Sequence, residues 1–176
     1  EWKKNQSNPV EYCIPQVMTT FGCTGGSSFG YQRAGMEIVA NNEFDKRYND
    51  VYLANHTPKY SYPEMIQTLK LREDLPEELF NLDILDGSPP CKLFSMNGLR
   101  EGAWGQKREF RKGTGFQSIE ELFFDFIDFA EKLKPKVVVA ENVKGLIQGN
   151  AKKYLLRIYQ SFDKAGYYVS HYLFDA

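Results

Sequence analysis

One segment of this chain constrains its fold more than any other: an amphipathic helix pattern that leads directly into an aliphatic strand. Residues 118–134 place apolar side chains at helical spacing, with Ser118 and Glu121 in a capping-box arrangement at the start and Pro135 after the end. Residues 136–140 then read Lys-Val-Val-Val-Ala, which is typical of a buried strand. This order predicts a helix that crosses one face of a parallel sheet and delivers the chain to a neighbouring strand.

The same alternation of strand and helix patterns runs along the rest of the chain. Further strands are predicted at residues 15–21, 36–40, 82–85 and 167–174, and further helices at 29–34, from Asp45, and from Asn150 up to Gly166. We therefore predict a doubly wound, Rossmann-like α/β fold with a mostly parallel sheet and helices on both faces. Right-handed crossovers place the carboxyl ends of the strands at one edge, where such sheets bind ligands.

Composition narrows the classes of function. The 22 Lys and Arg residues are balanced by 23 Asp and Glu residues, so any nucleic-acid surface must be local. Three cysteines without C-x-x-C spacing and two distant histidines argue against a disulfide framework or a metal site, and they favour a reducing, cytoplasmic setting. The longest aliphatic run is far shorter than a bilayer span, so no membrane partner is expected.

A Gly-rich turn and an acidic residue follow the first two predicted strands. Gly22, Gly25 and Gly26 come directly after the first strand, and Glu43 follows the second, about 20 residues later. Glycines there permit close backbone approach to a ligand, and the carboxylate is placed to accept hydrogen bonds from a ribose. The pair suggests a ribose-containing cofactor, although the spacing does not match a dinucleotide fingerprint. The alternatives are an ordinary tight turn and a solvated residue at a helix start.

Cys91 and Glu141 follow the third predicted strand and the Val-rich strand. Pro89 and Pro90 stiffen the chain before the Cys91 thiol, which could act as a nucleophile, although a lone cysteine is more often inert core. We expect Glu141 at the sheet edge at low dielectric, where burial would raise the pKa of its carboxyl group and suit it to proton transfer. The alternative is a carboxylate bound by backbone N–H groups. Because one helix joins the two strands, we expect them to be neighbours.

Several residue sets occur in a fixed order along the chain. They are Phe21 with Gly25 and Gly26, Ala-Gly at 34–35, Asn-Glu-Phe-Asp at 42–45, Asn-His at 55–56, Asp-Gly-Ser-Pro-Pro-Cys at 86–91, Phe-Ser at 94–95, and Val-Ala-Glu-Asn-Val-Lys-Gly-Leu at 139–146. Together they resemble the cytosine-C5 DNA methyltransferase family. The resemblance spans residues 17–175, and the ordered set is far more specific than any one motif.

The resemblance implies a domain that uses S-adenosyl-L-methionine as methyl donor, with residues 1–15 as a lead-in and 16–176 as part of the catalytic domain. It implies attack on cytosine C6 by Cys91, protonation of N3 by Glu141, and a target base flipped out of double-stranded DNA, in a bacterial restriction-modification system. The implied cofactor-binding residues are Phe21, Gly22, Thr24, Gly25, Gly26, Glu43, Phe44 and Pro89, and the implied DNA-binding residues are Ser95, Lys107, Arg108, Arg111 and Asn142.

Several residues depart from the family pattern. Thr19 stands where an acidic residue is usual, and Cys23 stands where glycine is usual; both would touch the methionine end of the cofactor. Lys92 replaces the usual glutamine after the cysteine. For the acidic residue that contacts adenine in the family, the candidates here are Glu73 and Asp74.

The family pattern also continues past the last strand with a target-recognition region. We therefore expect this chain to be the catalytic half of a longer enzyme, with sheet edge and apolar surface left uncovered. The expected protein partner is the C-terminal half or a complementary chain. Two alternatives stay open: a tRNA cytosine methyltransferase that uses the same site, and a non-catalytic fragment that binds the cofactor or a complementary chain.

Overall fold

The computed structural model describes residues 13–90, 121–148 and 151–174, and the backbone of residues 108–109, 116–117 and 119–120. The strands are β1 (Gln16–Thr20), β2 (Glu37–Asn42), β3 (Tyr60–Tyr62), β4 (Ile84–Gly87), β5 (Arg108–Glu109), β6 (Phe116–Gln117) and β7 (Val137–Ala140). Five of them form one sheet in the order β3-β2-β1-β4-β7, and every neighbouring pair in it is parallel. The predicted parallel α/β sheet is confirmed. β5 and β6 form a separate antiparallel pair.

Helices connect the strands at the predicted places. They are α1 (Gly26–Arg33), α2 (Lys46–Asn55), α3 (Ile66–Leu69), α4 (Ile119–Leu133) and α5 (Ala151–Lys164), with 3-10 helices at Glu77–Asn81 and Lys144–Ile147. Asp45 caps α2 as predicted, because its side chain accepts a hydrogen bond from the backbone N of Arg47 at 3.1 Å. The predicted caps Ser118 and Asn150 lie outside the described residues.

The core joins the central strands to α4. Met18 of β1, Leu85 of β4 and Phe126 of α4 are fully buried within one cluster. The predicted apolar face of α4 is confirmed, since its side chains at helical spacing are buried; they are Leu122, Phe123, Phe126, Ile127, Ala130 and Leu133. Burial of this stripe fixes α4 against the sheet and thereby sets β7 beside β4.

The strand order places a topological switch between β1 and β4. The chain passes from β1 to β2 and β3 on one side, then returns to β4 on the other side of β1. In open parallel sheets the connections on the two sides of such a point leave a crevice outside the carboxyl ends of the strands, and ligands bind there. The Gly-rich turn follows β1, and residues 88–90 follow β4, so both flank this crevice.

Two predictions about elements are wrong. Residues 167–174 form no strand, although Tyr167 is held by a hydrogen bond from its hydroxyl to the backbone O of Pro135 at 2.9 Å. Alternation of apolar and polar residues marks an extended segment, but a strand also needs a partner edge in register. β3 and α3 were not predicted, because Tyr-Ser-Tyr and Ile-Gln-Thr-Leu are too short to show a period.

The outer side of β7 is open in the part of the chain that the structure describes. β7 pairs there with β4 alone, and Val137 and Val139 are 49% and 37% exposed. A cavity of about 560 Å³ lies between β7 and residues 166–173. The expected uncovered sheet edge and apolar surface are therefore observed. Among the described residues, none of the helices has the length and apolar character needed to cross a bilayer.

Candidate active site

The predicted functional segments meet at the carboxyl edge of the sheet. Residues 21–25 follow β1, Glu43 follows β2, residues 88–90 follow β4, and Glu141 and Asn142 follow β7. Because β1, β4 and β7 are consecutive in the sheet, these segments border one continuous region. The edge rule applied to the sequence therefore located the segments correctly.

The Gly-rich turn has an unusual backbone held by short hydrogen bonds. Phe21 and Cys23 have φ values of 54° and 46°, although neither is glycine. The backbone N of Gly22 donates to the O of Asn42 at 3.0 Å, and the N of Gly25 donates to the O of Gly22 at 2.9 Å. Phe21 also packs edge-on against Phe126, with ring centroids 6.4 Å apart. The turn is thus a fixed structure supported by α4 and β2.

Gly25 is required by its packing as well as by its backbone angle. It has a φ of 95°, and an added Cβ would fall far inside van der Waals distance of Nε2 of His56. His56 is itself anchored, because its Nδ1 lies 2.9 Å from Oε1 of Gln32 in α1. At Gly26, in contrast, an added Cβ would meet nothing within 4 Å, so the turn is open on that side.

Glu43 is a buried carboxylate that ties the turn to α2. It is 6% exposed, which rules out the alternative of a solvated residue at a helix start. Its Oε2 accepts a hydrogen bond from the backbone N of Cys23 at 2.9 Å, and its Oε1 accepts one from the backbone N of Asp45 at 2.8 Å. Phe44, next along the chain, is exposed beside it. Glu43 therefore sits where the Gly-rich turn and the start of α2 meet.

A neutral polar cluster lies between β1 and the helices α1 and α2. The Ser28 hydroxyl lies 2.6 Å from the Tyr52 hydroxyl, and Thr19 Oγ1 lies 3.2 Å from Ser28 Oγ and 3.3 Å from the Tyr52 hydroxyl. All three residues are buried. Burial raises the pKa of the Tyr52 hydroxyl, so it remains a neutral donor. Thr19 therefore contributes hydrogen bonds here but no charge.

Sequence reasoning missed Asp86 as a buried acid. Residues 86–91 were interpreted as a turn after the third strand, whereas β4 extends to Gly87 and contains Asp86, which is 4% exposed. The Tyr31 hydroxyl donates to its Oδ1 at 3.1 Å. Burial raises the pKa of Asp86, and the negative charge of Glu141 raises it further. The available signal was an acidic residue directly after Ile-Leu, inside a strand pattern.

β4 and β7 are paired, as the connecting helix predicted. The backbone N of Glu141 donates to the O of Gly87 at 3.1 Å. Beyond the strands, Nδ2 of Asn142 donates to the O of Pro89 at 3.1 Å, so the two loops are joined directly. Asn142, which was expected to contact DNA, thus also holds residues 141–143 against residues 88–90.

Glu141 lies at the predicted place, but the expected burial is wrong. Its side chain is exposed, because β7 is an edge strand in the described part of the chain and the loop after it projects beyond the sheet. Cys91, Ser95, Lys107 and Arg111 lie outside the described residues, as does the side chain of Arg108. The distance between Cys91 and Glu141 stays a prediction, although Pro90 precedes Cys91 directly.

The two candidates for an adenine contact differ from what the fold offers. Glu73 and Asp74 are exposed beyond α3, and Asp74 pairs with Arg72 at 2.6 Å. At the carboxyl end of β3 the acidic residue is Glu64, whose Oε1 lies 2.9 Å from Nη1 of Arg72 and whose backbone O accepts from Asn42. Sequence reasoning missed Glu64 because β3 itself was not predicted.

Comparisons with known proteins agree with this arrangement. Residues 16–176 match the family model for C-5 cytosine-specific DNA methylases. The type II methyltransferase M.NgoPII of Neisseria gonorrhoeae is 32% identical over 164 residues, which cover 93% of this chain and 43% of that protein. The type II methyltransferase M.FnuDI of Fusobacterium nucleatum is 31% identical over 161 residues, which cover 92% and 42%. The chain thus spans less than half the length of these relatives.

Solved structures show the same fold. A prophage protein of E. coli described as a candidate DNA modification methyltransferase superposes with a TM-score of 0.60 at 21% identity, covering 85% of this chain and 38% of that one. A candidate RNA methyltransferase from Pyrococcus horikoshii superposes with a TM-score of 0.52 at 16% identity, covering 89% and 59%. With the sheet order, the Gly-rich turn and the paired β4 and β7 loops in place, the family match over residues 16–176 means that this chain belongs to the C-5 cytosine-specific DNA methylase family.

Proposed function

We propose that this chain is the donor-binding and catalytic portion of a DNA cytosine-C5 methyltransferase of the restriction-modification type. Family membership and the names of the type II relatives support this reading. The observation that carries it is the join between the β4 and β7 loops. The bond from Asn142 to Pro89 holds the residue next to Glu141 within two positions of Cys91.

The Gly-rich turn and the loop after β2 are proposed to hold S-adenosyl-L-methionine. The open side of Gly26 leaves room for a ligand, and the Glu43 carboxylate beside the turn suits ribose hydroxyls. The exposed ring of Phe44 suits packing against adenine. The remaining proposed contacts are Phe21, Gly22, Thr24, Gly25 and Pro89. The donor supplies an electrophilic methyl group; the chain's own residues must make cytosine reactive toward it.

Cys91 and Glu141 are the proposed catalytic residues. The Cys91 thiolate adds to C6 of cytosine, and Glu141 donates a proton to N3, so that C5 becomes nucleophilic. After C5 has been methylated, its proton leaves to a base and the C6–S bond breaks to release the thiolate. Exposure of Glu141 leaves its carboxyl group accessible to a base that has been flipped out of the duplex.

DNA contacts are assigned to the loops around this edge. Ser95, Lys107, Arg108, Arg111 and Asn142 are the proposed DNA-binding residues. Because the whole chain carries a net charge of −1, attraction to phosphate must come from such local basic groups. Lys107, Arg108 and Arg111 supply three positive charges within five residues of sequence.

The test is methyl transfer by the full-length protein to unmethylated double-stranded DNA or to tRNA, with isotope-labelled donor. We expect label at C5 of cytosine in DNA. Label in tRNA alone would replace DNA by RNA as the substrate. Donor binding without transfer to either nucleic acid would refute the proposal and favour a non-catalytic role.

Two variants test the proposed roles. Cys91→Ser should abolish transfer and leave donor affinity unchanged, whereas Cys13→Ser, which alters an exposed thiol ahead of β1, should retain the rate. Glu141→Gln should slow transfer by roughly 10²–10⁴-fold, the usual worth of a general acid. Glu131→Gln, on the exposed side of α4, is its matched control. A near-normal rate for Cys91→Ser would overturn the mechanism.

A further inference from the structure

Asp86 is a buried acid at the ligand-binding edge to which the proposed mechanism gives no role. It lies in β4, is 4% exposed, and is the register partner of Thr19 in β1. Both side chains point toward the helix that follows the Gly-rich turn, because Thr19 contacts Ser28 and Asp86 contacts Tyr31, both in α1. Asp86 is therefore one strand away from the chain that leads into the turn.

The partners of Asp86 are hydroxyl groups. Tyr31 donates to Oδ1 at 3.1 Å, and the Ser27 hydroxyl also bonds to the carboxylate. In the ranges that the structure describes, no Lys or Arg forms an ion pair with Asp86. A carboxylate buried without a cation is costly, and burial accordingly raises the pKa of Asp86. A positively charged ligand group would remove that cost.

The surroundings of Asp86 give such a ligand a route. Ser27 is exposed and lies in the first turn of α1, directly after Gly26, where the turn is open. The hydroxyl cluster around Asp86 thus reaches the surface beside the proposed donor site. Thr19, which stands where the family pattern has an acid, is neutral, and its register partner Asp86 supplies a carboxylate on the adjacent strand.

We infer that Asp86 is the counter-charge for the ammonium group at the methionine end of the methyl donor, an inference that rests on the proposed function. Asp86 lies within β4 on the α1 side, whereas Glu141 and Pro89 lie beyond the strand ends, where the reacting atoms must be. The donor's ammonium group is the cation farther from the reacting methyl group. Tyr31 and Ser27 hold the carboxylate in place for it.

Three ligands separate this role from a structural one in calorimetry on the full-length protein. S-adenosyl-L-methionine and S-adenosylhomocysteine both carry the ammonium group, but only the first carries a sulfonium; methylthioadenosine has neither charge. Asp86→Asn should weaken binding of the first two by roughly tenfold to a hundredfold, the worth of a hydrogen bond to a charged group, and leave methylthioadenosine unchanged.

Asp83→Asn is the matched control, because Asp83 lies at the opposite end of β4. Its carboxylate accepts from the backbone N of Gln16 at 2.7 Å and pairs with Lys136 at 2.6 Å. This variant should bind all three ligands as the unmodified protein does. If Asp86→Asn does not fold, Tyr31→Phe takes its place, with a smaller loss for the two ammonium ligands and none for methylthioadenosine.

The remaining outcomes each contradict the inference. Equal loss for all three ligands would make Asp86 structural, and loss for S-adenosyl-L-methionine alone would place the charge at the sulfonium. Unchanged binding by Asp86→Asn would refute the inference and leave the proposed function intact. Failure of the unmodified protein to bind any of the three ligands would refute both.

Discussion

At the scale of single residues, Gly25 decides whether the Gly-rich turn can form. Gly25→Ala would put a methyl group into His56, which Gln32 holds in place, and would force alanine into a left-handed conformation with a φ of 95°. The conformation costs about 1–2 kcal/mol and the overpacking about 1–3 kcal/mol. We expect the free energy of unfolding in urea to fall by a sum of this order, with loss of donor binding.

Gly26→Ala is the natural comparison for that variant. The added methyl group would meet nothing within 4 Å, and Gly26 begins α1, where alanine is the better helix former. Its free energy of unfolding should be unchanged or slightly higher. A similar loss of stability in both variants would mean that the contact with His56 is not what excludes a side chain from position 25.

Asp86 should impose a pH-dependent cost on the folded protein. Tyr31 and Ser27 from α1 and Glu141 after β7 surround its carboxyl group, and burial raises its pKa in the folded state above the unfolded value. The folded state therefore holds the proton to higher pH, and stability falls as pH rises through that interval and stays lower above it. Asp86→Asn removes this cost.

Urea unfolding of the two proteins checks this sign. The stability of Asp86→Asn relative to the unmodified protein should increase between about pH 4 and about pH 7, where the buried carboxylate becomes charged. A constant deficit across the range would show instead that the hydrogen bonds from Tyr31 and Ser27 outweigh the burial of charge.

Residue positions were predictable from the sequence to the extent that strand ends determine them. Glu43 and Glu141 follow their strands as expected, because a run of apolar residues has to end at the sheet edge. Their burial was not predictable. Glu43 is covered by the turn and α2, whereas Glu141 is exposed after an edge strand, and this difference depends on which neighbours the folded sheet supplies.

At the scale of elements, the end of β4 is packed too closely against α4 for any side chain at position 87. An added Cβ at Gly87 would lie 2.6 Å from Cε2 of Phe126 and 2.5 Å from Oγ1 of Thr20. Gly87→Ala should therefore lower the free energy of unfolding by about 1–3 kcal/mol through overpacking. Because the Gly87 carbonyl accepts from Glu141, methyl transfer should also slow.

Gly30→Ala serves as the control for this second glycine. Gly30 lies inside α1, and an added Cβ there would meet nothing within 4 Å. Its free energy of unfolding should rise by about 0.5–1 kcal/mol from helix propensity. Equal stability of Gly87→Ala and the unmodified protein would mean that α4 can move away from β4.

Long periodic elements were predictable and short ones were not. The six buried positions of α4 announce a helix, whereas β3 has three residues and draws its stability from pairing with β2. Residues 167–174 show the converse, since their alternation predicts a strand that no described edge pairs with. Pairing is a property of the whole sheet and cannot be read from one segment.

At the scale of the whole molecule, the two sides of the sheet differ in how well they are covered. The β3 side is closed by α2 and α3, while the β7 side leaves Val137 and Val139 exposed beside the cavity next to residues 166–173. The relatives are more than twice as long as the matched region, so in the full protein this side has further chain available to cover it.

The 176-residue chain on its own should therefore self-associate through the open side of β7. Exposed strand edges with apolar side chains recruit other chains, and a lysine on such a strand opposes this by its charge. Val139→Lys should lower the weight-average mass in sedimentation velocity at high protein concentration. Val51→Lys on α2, where the valine is 45% exposed, adds the same charge at the far side of the sheet and should change nothing. An equal effect of both substitutions would attribute the association to net charge rather than to β7, and a monomeric unmodified chain would show that the exposed valines are too few to drive pairing.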